Sequence, residues 1–151
     1  MSKWIDLIPK PEIPPKDWTD LMVVSATVFG EARGEKLEGK IAVSCVIRNR
    51  VHNPGWWGNS WSTVCLKPFQ LSSWNSKDAN RDKLSDPLKS ESAETWLDCL
   101  SASRLVIEPG LFSDVTDGAT HYHDISIAKP KNWTNFTETE KIGRFIFYKG
   151  R

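Results

Sequence analysis

The sequence predicts a mainly helical α+β domain with a small β element near its C-terminal end. Three observations carry this reading. Apolar residues recur at helical spacing in three stretches before residue 108, with stripes through Leu21, Val24 and Val28, through Ile41, Cys45 and Val46, and through Ala93, Trp96, Leu97, Leu100 and Leu105. Strand-like runs come only afterwards, at Ala119–His123 and Arg144–Tyr148. The 151 residues, 39% of them apolar, suffice for one hydrophobic core, and no internal repeat divides them.

Taken in order, residues 1–16 form an extended arm, because Pro9, Pro11, Pro14 and Pro15 oppose a helix there. Residues 17–151 form the domain. The first helix starts near Asp17–Thr19, with either residue able to cap it, and runs to about Phe29, where Gly30 permits a break or sharp turn. A second helix spans 36–52, with Arg48 and Arg50 flanking its buried face. The loop from Asn53 to Ser60 carries Trp56 and Trp57, with Trp61 just beyond; such rings either stack on the apolar faces of sugars or fold the loop onto the core. A short helix fits 61–66, capped by Ser60 or Ser62. Residues 67–90 are polar and irregular, broken by Pro68 and Pro87. A last helix fits 90–107 and ends at Pro109–Gly110. The two tail strands pair as a small hairpin or sheet, or cover a cleft.

Bulk properties exclude several functions. The formal net charge is only +1, with no basic stripe, which argues against nucleic acid. Cys45, Cys65 and Cys99 are odd in number, lack a C-x-x-C pair and lie in apolar helical patterns; they read as buried thiols of a protein made in a reducing compartment, not as a disulfide framework, zinc site or nucleophile. No stretch resembles a secretory signal or a membrane span.

The sharpest local feature is Phe29-Gly30-Glu31-Ala32-Arg33-Gly34-Glu35, directly after an apolar helix. A carboxylic acid set partly inside a fold keeps its proton to higher pH, because desolvation disfavours the charged form, and a general acid needs that proton. The flanking glycines allow close approach of a substrate or another backbone segment. The same residues also read as a solvated helix terminus with local ion pairs, Arg33 and Glu35 pairing with each other or with the neighbouring helix. Composition alone favours this second reading.

The GEARGE block, followed by Glu38-Gly39-Lys40-Ile41-Ala42-Val43 and Val46-Ile47-Arg48-Asn49-Arg50-Val51, resembles the SleB-type cell wall hydrolase family, which includes spore cortex-lytic enzymes and phage endolysins. Thr63-Val64-Cys65 through Phe69-Gln70-Leu71-Ser72, then Gly118-Ala119-Thr120-His121-Tyr122-His123, Lys131-Asn132-Trp133 and Ile142-Gly143-Arg144-Phe145-Ile146-Phe147 are similar to its later motifs, so the likeness spans about 20–148. Two departures stand out. Gln70-Leu71-Ser72 replaces the family's Q-F-S, and Asn75–Ser92 has no family counterpart, which leaves the cleft floor open.

The resemblance implies a lysozyme-like fold with Glu31 at a helix end facing a glycan cleft. It implies cleavage of the β-1,4 bond between N-acetylmuramic acid and N-acetylglucosamine, with Glu31 protonating the leaving oxygen. A hydrolytic muramidase adds a second carboxylate, for which Glu35, Glu38, Asp114, Asp117 and Asp124 are candidates. A lytic transglycosylase needs only the one acid, because the muramic 6-hydroxyl attacks internally, and this is the favoured reading. Gln70 and Ser72 could bind sugar acetamido groups or an oxyanion. Tyr122 could orient the acid or stabilise positive charge, and His121 could line the substrate site; each reads equally as an ordinary turn or strand residue. His121 and His123 share a strand face, but no third ligand stands near, so neither metal nor cofactor is expected. The expected setting is a monomeric phage endolysin, made in the host cytoplasm and released to the periplasmic wall by a holin. A glycan-binding module without catalysis is the alternative, and the presence of Glu31 speaks against it.

Overall fold

The computed structural model describes residues 7–53, 55–67, 70–75, 78 and 81–150. Six helices and three strands are defined among them: α1 Asp20–Ala32, α2 Leu37–His52, α3 Trp61–Leu66, α4 Arg81–Ser85, α5 Pro87–Ser90, α6 Ala93–Ile107, β1 His121–Asp124, β2 Thr137–Ile142 and β3 Phe145–Lys149. The chain is thus mainly helical with one small sheet.

Helix α1 is the centre of the core. Every residue from Met22 to Phe29 is buried, Ser25 and Thr27 included, so it needs neighbours on all sides. It packs against α2, α3, α4 and α6. The Thr19 hydroxyl caps it by accepting from Met22 N at 3.3 Å. The expected break at Gly30 does not occur: α1 continues through Gly30 and Glu31 to Ala32. Gly30 instead answers a packing need. A β-carbon there would sit 2.6 Å from Ser73 Cβ and 2.7 Å from Leu84 Cδ2, so only glycine lets the 72–74 turn and α4 lie against the helix.

Helix α2 follows the expected 36–52 closely, but it buries Lys40 and Arg50 as well as its apolar face. Lys40 Nζ donates to Glu35 O at 2.7 Å, which ties the α1–α2 connection to the helix. Ser60 and Thr63 form a capping box on α3. Ser92 caps α6, which is why that helix begins at Ala93 and not at residue 90. The stretch read as irregular contains a 3-10 turn at Ser72–Trp74 and the short helices α4 and α5. Leu84, the lone apolar residue of α4, is fully buried and anchors that segment.

The sheet is antiparallel with order β1-β3-β2. Tyr122 lies opposite Phe147 on the central strand, and His121 opposite Tyr148. The outer strand β2, Thr-Glu-Thr-Glu-Lys-Ile, escaped the sequence reading because a charged edge strand has almost no apolar signature. It forms a tight hairpin with β3 across Gly143, whose φ of 57° suits glycine.

Residues 7–18 lie on the core. Trp96 Nε1 donates to Leu7 O at 2.7 Å, and Trp18 Nε1 to Ile13 O at 2.9 Å. Cys45, Cys65 and Cys99 are buried and unpaired, and burial pushes their thiols up to about 11, 12 and 12.

Candidate active site

Three separated pieces of chain meet at Glu31. The residue sits in the last turn of α1, half-buried. Its Oε2 accepts from Ser73 Oγ at 2.8 Å and from Ser73 N at 3.2 Å. Its Oε1 accepts from Tyr122 Oη at 2.7 Å. Both carboxyl oxygens are therefore held, one by the turn after α3 and the other by β1. Such a clamp fixes the rotamer of a long side chain that would otherwise sample many.

Each partner is itself positioned. Ser73 is buried against Gly30. Tyr122 packs between Phe145 and Phe147 of β3, with ring centroids at 5.1 and 5.7 Å. Burial, then the neighbouring Glu31 carboxyl, holds its phenol well above the ordinary range, so it stays a neutral donor.

The Arg48-Asn49-Arg50 segment of α2 tethers the loop that leads into β1. Arg48 Nη1 donates to Phe112 O at 2.8 Å. Asn49 Nδ2 donates to Ala119 O at 2.8 Å and to Asp114 Oδ2 at 2.9 Å. Arg50 Nε donates to Thr120 O at 2.8 Å, two residues before Tyr122. Arg50 is buried, its guanidinium lies 5.3 Å from the Trp57 ring centroid, and its Nη1 has no hydrogen-bond partner. Burial lowers its pKa, while the proximity of Tyr122, Cys65 and Glu31 works the other way. Arg50 is thus a buried cation on the inner side of the Glu31–Tyr122 pair.

Among the residues expected at the site, Glu31 and Tyr122 are brought together. Gln70 lies in the turn that leads to Ser73, its N donating to Lys67 O at 3.2 Å. Ser72 is in the same turn, but its side chain lies outside the described residues, as does Phe69. The hydroxyl that reaches Glu31 belongs to Ser73, one position beyond the expected one.

His121 goes elsewhere. Side chains alternate along a strand, so it faces away from Tyr122. It packs on Phe136, Trp133 and Trp57, with centroids at 4.3, 5.1 and 5.7 Å, and its Nδ1 lies 2.9 Å from Thr120 Oγ1. Burial, helped by Arg50, lowers its pKa from 6.5 to about 4. The fold therefore favours the neutral ring. That contribution is complete above about pH 6.5 and is lost as pH falls toward about 4. Urea midpoints decline across this window, and His121→Gln flattens the decline; an unchanged slope in the variant contradicts the assignment. Among the described residues no group of three His, Cys, Asp or Glu side chains could hold a metal.

The candidate second carboxylates are committed to other contacts or exposed. Glu35 Oε1 accepts from Arg144 N at 3.0 Å and so holds the β2–β3 turn. Asp114 accepts from Thr116 N at 2.8 Å, Thr116 Oγ1 at 2.7 Å and Gly118 N at 2.7 Å. Burial raises its pKa, but these bonds and that from Asn49 outweigh it and hold the carboxyl below its ordinary value. Asp124 accepts from Ser126 N at 2.8 Å and pairs with Arg144 at 2.9 Å, which lowers it to about 2. Glu38 and Asp117 are exposed. Arg33 pairs with Glu91, in the connection between α5 and α6, at 3.4 Å.

Comparison with known proteins identifies the family and the fold. The profile of the Cell Wall Hydrolase family matches residues 34–148. The spore cortex-lytic enzyme of Bacillus subtilis (strain 168) is 40% identical over 50 residues, which span 33% of this chain and 16% of that protein. The catalytic domain of the germination-specific lytic transglycosylase SleB from Bacillus anthracis superposes with a TM-score of 0.66 at 25% identity, covering 94% of this chain and 100% of that domain. The catalytic domain of the Bacillus cereus SleB protein gives 0.66 at 26% identity, covering 95% of this chain and 96% of that one.

Proposed function

The chain belongs to the cell wall hydrolase family, of the SleB type, and on that premise we propose that it cleaves peptidoglycan glycan strands as a lytic transglycosylase, with Glu31 as its acid. The observation that carries this reading is the clamp on Glu31: one carboxyl, half-buried at a helix end, held by Ser73 and Tyr122.

The chemistry follows from that arrangement. Protonated Glu31 gives its proton to the oxygen linking N-acetylmuramic acid to N-acetylglucosamine, and the C1–O bond breaks with positive charge developing on the muramic ring. The carboxylate that remains is stabilised by the Ser73 N–H, the Ser73 hydroxyl and the Tyr122 hydroxyl, all preorganised before the proton moves. The muramic 6-hydroxyl then attacks C1, and its proton returns to Glu31. Water is neither consumed nor released, and the product carries a 1,6-anhydro ring.

Hydrolysis on the same site needs a base to activate water. The engagement of Glu35, Asp114 and Asp124 in structural hydrogen bonds favours the route that dispenses with one. The test is to digest purified sacculi with the wild-type protein and weigh the soluble muropeptides. Anhydro-muramic ends are expected. Reducing muramic ends, heavier by one water, would establish hydrolysis instead.

A further inference from the structure

Apart from Glu31, a groove among the described residues has chemistry that suits a charged glycan. It lies between the 55–58 loop, α3 and the 3-10 turn at Pro15–Asp17, has a volume of about 420 Å³, and is lined by Lys16, Trp56, Trp57, Thr63, Leu66 and Lys67 among others. No carboxylate is among the described residues that line it. Trp56 is 65% exposed, an unusual position for the largest apolar side chain. The Lys67 ammonium lies 4.7 Å from its ring centroid, and Lys16 is exposed across the groove.

The groove is built, not incidental. The Gly55–Gly58 bridge holds the loop, with N–H···O bonds of 3.4 and 3.1 Å, and both glycines adopt positive φ, 141° and 117°. Trp57 is fixed from behind by the Arg50 guanidinium and by the edge of His121. Trp56 meets Trp57 edge-on, at 6.0 Å between centroids. One ring is thus anchored and the next presented to solvent.

In sequence or through a ring contact, residues of both walls stand near the residues that hold the acid. Lys67 stands six residues before Ser73, which holds Glu31 Oε2. Trp57 rests on His121, the strand neighbour of Tyr122, on the opposite face of β1 from the hydroxyl that holds Oε1.

Given the activity proposed above, on which this inference rests, we propose that the Trp56–Lys67 groove binds a sugar of the glycan strand away from the bond that is cut. The Trp56 face stacks on the apolar face of a pyranose ring. Lys67 and Lys16 neutralise the free carboxylates of the peptide stem. A polymer held at a second point stays in register with the acid, and neutral or short glycans lose that advantage.

The test uses Trp56→Ala and Lys67→Gln, each placed also in a Glu31→Gln background so that binding is measured without digestion. Cosedimentation with purified sacculi gives Kd. Losing an exposed stacking face weakens binding about tenfold, and losing one surface charge weakens it about two- to fivefold. With sacculi whose carboxyl groups have been amidated, the Lys67→Gln effect disappears and the Trp56→Ala effect remains. In the active background both variants slow cleavage of sacculi but not of a soluble disaccharide-repeat dimer. Unchanged Kd in Trp56→Ala overturns the groove, as does an equal fall on the soluble dimer. A wild-type protein that binds sacculi through Trp56 yet cuts nothing would sink the activity while leaving the groove standing.

Discussion

Glu31→Gln lowers the initial rate of glycan cleavage by about 10²–10⁴-fold, the usual worth of a positioned general acid. Glutamine keeps the shape of the side chain and removes the transferable proton. It also suits the surrounding donors. Ser73 offers both its N–H and its hydroxyl at one oxygen position, so the amide oxygen takes that place. The amide nitrogen then faces Tyr122, whose hydroxyl can turn and accept. Thermal stability accordingly stays close to wild type, so the loss of rate is not a loss of fold. A variant that keeps most of the rate would show that Glu31 is a structural carboxylate and that the acid lies elsewhere.

Gly30→Ala destabilises the protein by about 1–3 kcal/mol, although alanine is the better helix former. The new methyl meets the Ser73 hydroxyl, Ser73 Cβ at 2.6 Å and Leu84 Cδ2 at 2.7 Å. Ser73 and Leu84 are both buried and have no open space to retreat into. Relief comes by moving the 72–74 turn, and that turn carries two of the three hydrogen bonds to Glu31. Activity therefore falls with stability, by up to about 10²-fold for a displacement near 1 Å. Gly34→Ala is the internal control, since nothing lies within 4 Å of its β-carbon position. Chemical denaturation and cleavage assays on the pair separate the two glycines; equal behaviour would refute the packing argument.

The helices were legible from periodicity, because α1, α2 and α6 each bury a long apolar surface. The end of α1 was not, because Gly30 serves a contact with residues more than forty positions away. Local sequence cannot tell a glycine that breaks a helix from one that admits a neighbour. Strand β2 was missed for a related reason: its pairing with β3 rests on backbone bonds and leaves all but one of its side chains polar or charged.

At the site, Glu31 and Tyr122 could be singled out because each stands in a distinctive motif. Ser73 could not, since a serine in a polar turn carries no signal of its own; its neighbour Ser72 drew attention only through the Q-L-S likeness. The roles of Asn49 and Arg50 were hidden in the same way. Their types and spacing were visible in Arg48-Asn49-Arg50, but what they hold is backbone carbonyl about seventy residues away. A polar residue on a buried helix face with no local partner was the available clue.

The central claim is that Glu31 supplies the proton that cuts the strand, and one paired experiment addresses it most directly. Wild type and Glu31→Gln are incubated with the same purified sacculi, and each tube is scored for protein bound to the pellet and for muropeptides released. The account predicts that both proteins bind alike while only wild type releases anhydro-muropeptides. Release by Glu31→Gln at a rate near that of wild type would contradict it.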